Sequence, residues 1–240
     1  MSLGTARFRY SATLVFLVLS MILLSGRLLY LVISDAQRFP INTVKIAASY
    51  DHITRQQLEK VLSPYLREGF FGFSAKQLAH DLQQLAWCAD ASVQRIWPDI
   101  VKITVVERVP VAIWNKALMT ESGEVFQPEK EAMPLDGLPR LSGPEAQKNE
   151  ILQNFQKLSK LLSSYGLSAS ALRLRNNQAW ELSLKNGILL RLGKSELEAR
   201  VRRFCRAYPA VFADKPEQLT SVDLRYARGM AVQWKPQTGR

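Results

Sequence analysis

Cysteine and histidine are scarce in this sequence of 240 residues, which contains two of each. Cys88 and Cys205 are far apart and stand among apolar residues, so they predict two buried thiols rather than a disulfide framework or a metal site. His80 stands beside Asp81, and a Cys–His pair with Cys88 is conceivable, but a surface histidine and a buried thiol are favoured. Phosphate-binding glycine loops and nucleophile elbows are also missing. We therefore expect no catalytic, cofactor or metal site, and no small-molecule substrate.

Long hydrophobic runs are also scarce. Residues 11–33 are the only run in this sequence that is long and apolar enough to cross a bilayer. As a helix this segment would be about 34 Å long, which is enough to span the hydrocarbon core. A cleaved signal peptide is the alternative. The apolar stretch is longer than the roughly 7–15 residues of a signal core, and no small-x-small cleavage site follows it. Uncleaved membrane attachment is therefore favoured, and Arg27 lies near enough to the far end to reach the interface.

The orientation of this span follows from the basic residues beside it. Arg7 and Arg9 precede the span, and Asp35, Arg38 and Lys45 follow it. The balance of positive charge slightly favours a cytoplasmic location for residues 1–10, which places the bulk of the chain outside the cytoplasm.

Acidic residues are outnumbered, with 21 against 32 basic residues and a net charge of +11. No nucleic-acid recognition motif accompanies this charge, so we expect no nucleic-acid partner. The densest basic patch continues into a predicted helix at 195–212, whose arginines at 200, 203 and 206 fall mostly opposite its apolar positions. A solvated basic face near lipid headgroups or an acidic partner explains the pattern. The patch comprises Arg191, Lys194, Arg200, Arg202, Arg203 and Arg206.

Residues 40–108 predict a β-α-α-β-β unit. Thr54 and Ser74 each stand three residues before a glutamine, which is the capping-box pattern at a helix start. Strands are predicted at 41–46, 91–96 and 100–108, and the last two are joined by a turn at Trp97-Pro98-Asp99. One strand, two helices and a hairpin can form a small sheet with helices on one face.

The remaining residues predict a β-rich domain with flanking helices. Asn186-Gly187 is a strong hairpin signal between strands at 182–184 and 188–190. The other predicted elements are strands at 111–114 and 118–126 around a Ser122-Gly123 turn, a loop at 128–144, a helix at 151–162, the helix at 195–212, and final strands at 221–226 and 230–234. The predicted fold class is therefore α+β, with one membrane helix, a β-α-α-β-β domain and an antiparallel sheet domain.

Several motifs resemble known families. The 40–108 unit, with Val93-x-Arg95-x-Trp97-Pro98-Asp99-x-Val101-x-Ile103-x-Val105-x-Glu107, resembles a POTRA domain. The chain as a whole is similar to the FtsQ/DivIB family of bacterial cell-division proteins. The motifs that carry this likeness are Arg108-Val109-Pro110-Val111-Ala112-x-Trp114-Asn115, Tyr208-Pro209, and Val222-Asp223-Leu224-Arg225-Tyr226 with Gly229 and Trp234. The resemblance implies a membrane helix at 11–33, a POTRA domain at 39–108, a C-terminal β domain at 109–236 and a tail at 237–240.

The final predicted hairpin offers a possible binding edge. Apolar and polar residues alternate along both strands, so one face can be buried while the other is wet. Few residues follow Trp234, and we expect no further strand to cover this edge. An open edge can pair with an incoming chain, whereas an ordinary edge protected by Arg228 and Lys235 is the alternative.

The family resemblance implies that this edge binds a partner. The expected partner is a segment of FtsB, arriving with FtsL as a coiled-coil pair. The implied contact residues are Arg225, Tyr226, Gly229, Met230 and Trp234. Arg225 suits an acidic partner residue, and Tyr226 and Trp234 suit apolar anchoring.

The sequence also departs from the family pattern in two places. Arg228 stands before the glycine where a small polar residue is found in relatives. Asn176-Asn177 occupy the positions nearest an expected arginine before Trp180.

The implied role is a non-enzymatic scaffold. It would lie in the inner membrane at the division septum, with its bulk in the periplasm, and join upstream proteins such as FtsK to FtsB–FtsL and septal peptidoglycan synthesis. The alternatives are a POTRA-bearing component of envelope protein assembly and a membrane-anchored hydrolase. The first would normally lack this membrane helix or carry an outer-membrane barrel, and the second lacks a catalytic constellation.

Overall fold

The computed structural model describes residues 4–33, 35–128, 137–212 and 218–235, with side chains from residue 14 onward. The chain divides into two compact units, Met1–Arg108 and Val109–Arg240.

The first helix, α1, covers Gly4–Ile33 and so begins earlier than the predicted 11–33. Its segment Leu14–Ile33 has a mean hydropathy of 2.3, and no part of the most apolar window is buried by the rest of the protein. By length and composition this segment can cross a membrane. The described part of the chain contains one helix of this kind.

The first unit continues as the predicted β-α-α-β-β sequence. A three-stranded sheet has the order β1-β3-β2, in which β1 is parallel and β2 antiparallel to β3. The fully buried Leu58, Leu82 and Ile103 contribute to its core. Its elements are β1 Thr43–Ala47, α2 Arg55–Leu66, α3 Ala75–Gln83, β2 Cys88–Ile96 and β3 Ile100–Glu107.

The two predicted capping boxes have different outcomes. At α2 both bonds form, since Gln57 N–H donates to the Thr54 side chain and the Gln57 side chain accepts from Thr54 N–H. At α3 the Ser74 side chain accepts from Gln77 N–H, but the Gln77 side chain donates to Asp81, 2.9 Å away. The second box is therefore only half formed, because an acidic side chain one turn further on provides a competing acceptor.

The second unit contains one nine-stranded sheet in the order β12-β11-β10-β9-β8-β7-β4-β5-β6. The helices α4 Lys148–Ser163 and α5 Leu197–Val211 share one hydrophobic core with it, through residues such as Leu162 and Phe204. The strands are β4 Pro110–Trp114, β5 Ala117–Thr120, β6 Val125–Phe126, β7 Arg140–Ser142, β8 Ala169–Leu174, β9 Trp180–Leu184, β10 Leu189–Gly193, β11 Leu219–Asp223 and β12 Ala231–Trp234.

The observed sheet differs from the sequence prediction in two places. The segment 128–144, predicted to be a loop, contains β7, which lies between β4 and β8 and is parallel to both. Strand β8 was absent from the prediction. Leu141 and Leu172 are almost fully buried at this junction. The predicted hairpin at Asn186-Gly187 is confirmed, with β9 and β10 antiparallel.

The two cysteines are buried and free, as expected. Burial raises the pKa of Cys88 and raises that of Cys205 to about 11, so neither thiol ionises readily at neutral pH. His80 is exposed, in agreement with the surface histidine that the sequence favoured.

Candidate partner-binding edge

Strand β12 forms one end of the nine-stranded sheet. It pairs only with β11 among the described strands, in antiparallel register from Asp223 opposite Ala231 to Leu219 opposite Trp234. A register shift between Leu219 and Ser221 marks an irregularity on the β11 side. The other side of β12 is therefore a free edge within the part of the chain that the structure describes.

The backbone of β12 presents hydrogen-bonding groups on this free side. Lys235 N–H donates to Gln218 O at 2.7 Å, which directs the backbone of residue 235 toward β11. Backbone direction alternates along an extended strand, so Ala231 and Gln233 also face β11. The N–H and C=O groups of Val232 and Trp234 consequently point away from the sheet, where an added strand could bind them.

The side chains of residues 230–234, which include β12, follow the predicted alternation. Met230 and Val232 pack against the hydrophobic core, and the Trp234 ring centroid lies 6.1 Å from that of Phe212. Trp234 remains 44% exposed, so half of a large apolar side chain is available beside the free edge. Ala231 and Gln233 are exposed on the opposite face.

The loop between β11 and β12 corrects the predicted strand limits. Strand β11 ends at Asp223 rather than residue 226, and β12 begins at Ala231 rather than residue 230. Arg225, Tyr226, Gly229 and Met230 therefore lie in a connecting loop. The reason is that an arginine side chain, and not a neighbouring strand, binds the loop carbonyl groups.

Arg203 of α5 is that arginine. Its guanidinium donates to Leu224 O at 2.9 Å and to Tyr226 O and Ala227 O at 2.8 Å. Charge-assisted bonds from a planar, always-protonated group fix the loop to the helix. Sequence reasoning placed Arg203 on a solvated basic face and missed this role. No signal in the sequence indicated this role, because helical spacing places Arg203 mostly opposite the apolar positions of the helix.

Arg225 is held by Asp223, the last residue of β11. Its Nε donates to both carboxylate oxygens of Asp223 at 2.9 and 3.0 Å, and its Nη2 donates at 2.5 Å. The hydrogen bond from the Arg225 side chain is the main reason that the pKa of Asp223 lies below its usual range. The guanidinium itself remains mostly exposed, so it is oriented by Asp223 and still accessible.

The side chain of Tyr226 is largely exposed, and the Cα of Gly229 faces open space. Tyr226 is 57% exposed. A Cβ added at Gly229 would meet nothing within 4 Å, and the residue has no positive φ. The fold therefore does not require glycine at this position.

An arginine-rich groove adjoins the loop. It has a volume of about 710 Å³ and lies between α5 and the segment Arg228–Met230. Arg202, Arg206 and Arg228 line it and are exposed, whereas Arg200 and Arg203 donate to backbone carbonyl groups. The predicted solvated basic face thus holds for Arg202 and Arg206 and is wrong for Arg200 and Arg203.

Two sequence-family descriptions match the chain. The FtsQ-type POTRA domain matches residues 39–108, and the C-terminal domain of cell division protein FtsQ/DivIB matches residues 112–225. The chain belongs to the FtsQ/DivIB family of cell-division proteins. The second match covers Arg203 and Arg225 and ends before β12.

Individual relatives support the same assignment. The cell division protein FtsQ of Coxiella burnetii is 36% identical over 84% of this chain and 83% of its own length. FtsQ of Alcanivorax borkumensis is 35% identical over 83% of this chain and 78% of its own length. FtsQ of Shewanella oneidensis is 33% identical over 91% of this chain and 83% of its own length. The resemblance expected from the sequence is therefore confirmed.

The structure also locates the Asn176-Asn177 departure from the family pattern. Both residues lie in the turn between β8 and β9. The neighbouring Arg175 pairs with Glu181 at 3.2 Å. Within the described ranges, no group of three or more His, Cys, Asp or Glu side chains could hold a metal ion.

Proposed function

We propose that this FtsQ/DivIB family member is a non-catalytic, single-pass scaffold of the division machinery. Residues 14–33 cross the inner membrane, the N-terminus is cytoplasmic, and both folded units lie in the periplasm at the septum. The protein joins upstream division proteins such as FtsK to FtsB–FtsL and septal peptidoglycan synthesis. The observation that carries the proposal is the free edge of β12, which can accept a partner strand.

The binding step is β-strand addition. A segment of FtsB, which arrives with FtsL, pairs with the outward N–H and C=O groups of Val232 and Trp234 and extends the sheet by one strand. Main-chain bonds supply the pairing, and the half-exposed Trp234 ring supplies an apolar contact for one partner side chain.

The loop supplies specificity beside the strand. The exposed Arg225 guanidinium meets an acidic partner residue, Tyr226 packs on the partner, and Gly229 and Met230 lie where the partner chain passes. Arg203 keeps the loop backbone in one conformation before binding, which lowers the entropy lost on association.

One substitution tests strand addition directly. Val232→Pro removes an outward N–H while leaving the bonds to β11 in place, because proline is tolerated at outward positions of edge strands. Val232→Ala is the matched control, since it shortens the side chain and keeps the N–H. We expect purified full chain with the proline to lose FtsB–FtsL capture, and the alanine variant to retain most of it.

The same capture assay can contradict the proposed strand addition. Equal capture by the proline and alanine variants, with circular dichroism unchanged, would contradict binding through this edge. Capture of an unfolded outer-membrane protein strand instead of FtsB–FtsL would support the envelope-assembly alternative.

The proposed orientation has its own test. A phosphatase that works only outside the cytoplasm, fused after residue 240, should be active. An inactive fusion with full expression would reverse the proposed topology.

A further inference from the structure

Trp97 is the most exposed large apolar side chain of the folded part of the first unit. It occupies the turn between β2 and β3 with 76% of its surface exposed, and the preceding Ile96 is also exposed. An indole in water at a hairpin tip contributes little to the core. Such an exposed apolar side chain indicates contact with a membrane or with another molecule, and the residues around Trp97 show which of the two is closer.

This turn is bonded to the chain segment that follows the membrane helix. Asn42 N–H and Thr43 N–H donate to Asp99 O at 3.1 and 3.3 Å. The Asn42 amide also donates to the Asp99 carboxylate at 2.9 Å. The Trp97 turn is consequently held at the first residues of the POTRA domain.

A second aromatic residue is held at the same segment. The loop after α2 donates from Phe70 N–H to Phe39 O at 2.8 Å, and the rings of Phe39 and Phe71 contact edge to face at 5.2 Å. Gly69 has a positive φ, and a Cβ there would lie 2.7 Å from Ala36 Cα, so the loop packs closely on the chain just after α1. Phe71 nevertheless remains 38% exposed.

The reach of the connecting chain is short. Arg38 N–H and Phe39 N–H both donate to Asp35 O, which folds residues 35–39 into a turn directly after α1. From Phe39 to Asn42 the chain can extend by only about 10 Å. The headgroup region on each side of a bilayer is roughly 5–7 Å thick. Both aromatic residues are therefore within reach of that region when Leu14–Ile33 spans the membrane.

Arg95 connects the end of β2, next to Trp97, with the loop that contains Phe71. Its guanidinium donates to Phe73 O and lies over the Phe73 ring, 4.6 Å from the centroid. The end of β2 is thus bonded to the loop at 69–73.

We propose that Phe71 and Trp97, here called the proximal aromatic pair, rest in the lipid headgroup region and fix the POTRA domain against the bilayer. Amphipathic aromatic rings, above all indole, favour this region because the ring is apolar and the N–H is polar. The occupant is the lipid surface and not a protein partner, because chain continuity with the membrane helix brings the pair to the bilayer without any further association.

Fluorescence of the full chain in vesicles tests this directly. The chain contains five tryptophans, none of them in residues 14–33. In phosphatidylcholine–phosphatidylglycerol vesicles with brominated acyl chains, we expect the wild-type emission to be quenched and Trp97→Phe to lose most of that quenching. Trp87→Phe is the matched control, because Trp87 precedes the opposite end of β2, about 30 Å away; it should retain the quenching.

A second variant keeps Trp97 as the reporter. Phe71→Ser should weaken bromolipid quenching and increase quenching by aqueous acrylamide, because the pair acts together. Equal bromolipid quenching in wild type and Trp97→Phe, with circular dichroism unchanged, would overturn the proposal. Unaltered quenching in Phe71→Ser would overturn the role of Phe71.

Discussion

The Arg225 guanidinium binds both carboxylate oxygens of Asp223, two residues back along the chain, at 2.5–3.0 Å. Arg225 N–H also donates to Asp223 at 3.1 Å, so the same carboxylate orients both backbone and side chain at the point where β11 ends. The exposed Arg225 guanidinium is therefore already oriented by Asp223 in the absence of any partner. In the acidic contact proposed above, a partner carboxylate would share this arginine with Asp223.

Replacing Arg225 by Gln should raise the pKa of Asp223, because its main stabilising hydrogen bonds disappear. The wild-type pKa lies below that of an unfolded aspartate, about 3.9. The pair thus stabilises the folded state above that value, and this contribution is lost as the pH falls through the folded-state pKa. NMR titration of the Asp223 carboxyl group checks the shift. Arg228→Gln removes the same charge from the same loop, and an equal shift there would contradict a specific pair.

Replacing Arg203 by Lys should loosen the loop, because one ammonium group cannot bond Leu224, Tyr226 and Ala227 together. Hydrogen bonds to charged groups contribute about 1.5–3 kcal/mol each, so losing one or two should accelerate amide exchange in residues 225–230 by at least about tenfold. Hydrogen–deuterium exchange measures this. Arg202→Lys on the exposed side of α5 should leave exchange unchanged; similar acceleration in both variants would argue against the carbonyl contacts.

Replacing Gly229 by Ala should leave the stability of the second unit within about 1 kcal/mol of wild type, since open space surrounds the new methyl group. FtsB–FtsL capture should nevertheless fall if the partner backbone passes close to this residue. Gly193→Ala provides the contrast, because Gly193 has φ +77° and its added Cβ would lie 2.5 Å from Arg200 Nη1. Thermal unfolding should register the Gly193 change. A Gly229 variant with normal stability and normal capture would remove that residue from the proposed contact.

Replacing Leu82 by Ala should destabilise the first unit by about 2–5 kcal/mol, because Leu82 is fully buried between α3 and the sheet. Thr54→Ala removes the α2 cap and should cost about 0.5–2 kcal/mol. Urea unfolding of the full chain in detergent, followed separately for the two units, gives both values. A larger loss for Thr54→Ala than for Leu82→Ala would contradict this account of the core.

Local signals explain which elements could be predicted from the sequence. Thr54 and Gln57 bond within one turn, and Asn186-Gly187 forms a hairpin between adjacent strands, so a short window contains the cause of each. The alternation of Met230, Val232 and Trp234 likewise follows from strand geometry alone. The N-terminal span depends only on length and composition.

The missed features depend on distant parts of the chain. Strand β7 has three residues and exists because β4 and β8 pair with it on either side. Strand β8 shows clear alternation only in Leu172-Arg173-Leu174. Arg203 reaches carbonyl groups more than twenty residues later in the chain, and helical periodicity cannot distinguish such an arginine from the exposed Arg202.

The two ends of the large sheet are unequal. At the end opposite β12, strand β6 contains only Val125 and Phe126. A protein with two long open edges can associate head to tail without limit, whereas a two-residue strand offers too few bonds to continue such a chain. Among the described strands, β12 is therefore the only end of this sheet that is long enough to pair with a further strand, and the two ends cannot join copies of the chain head to tail.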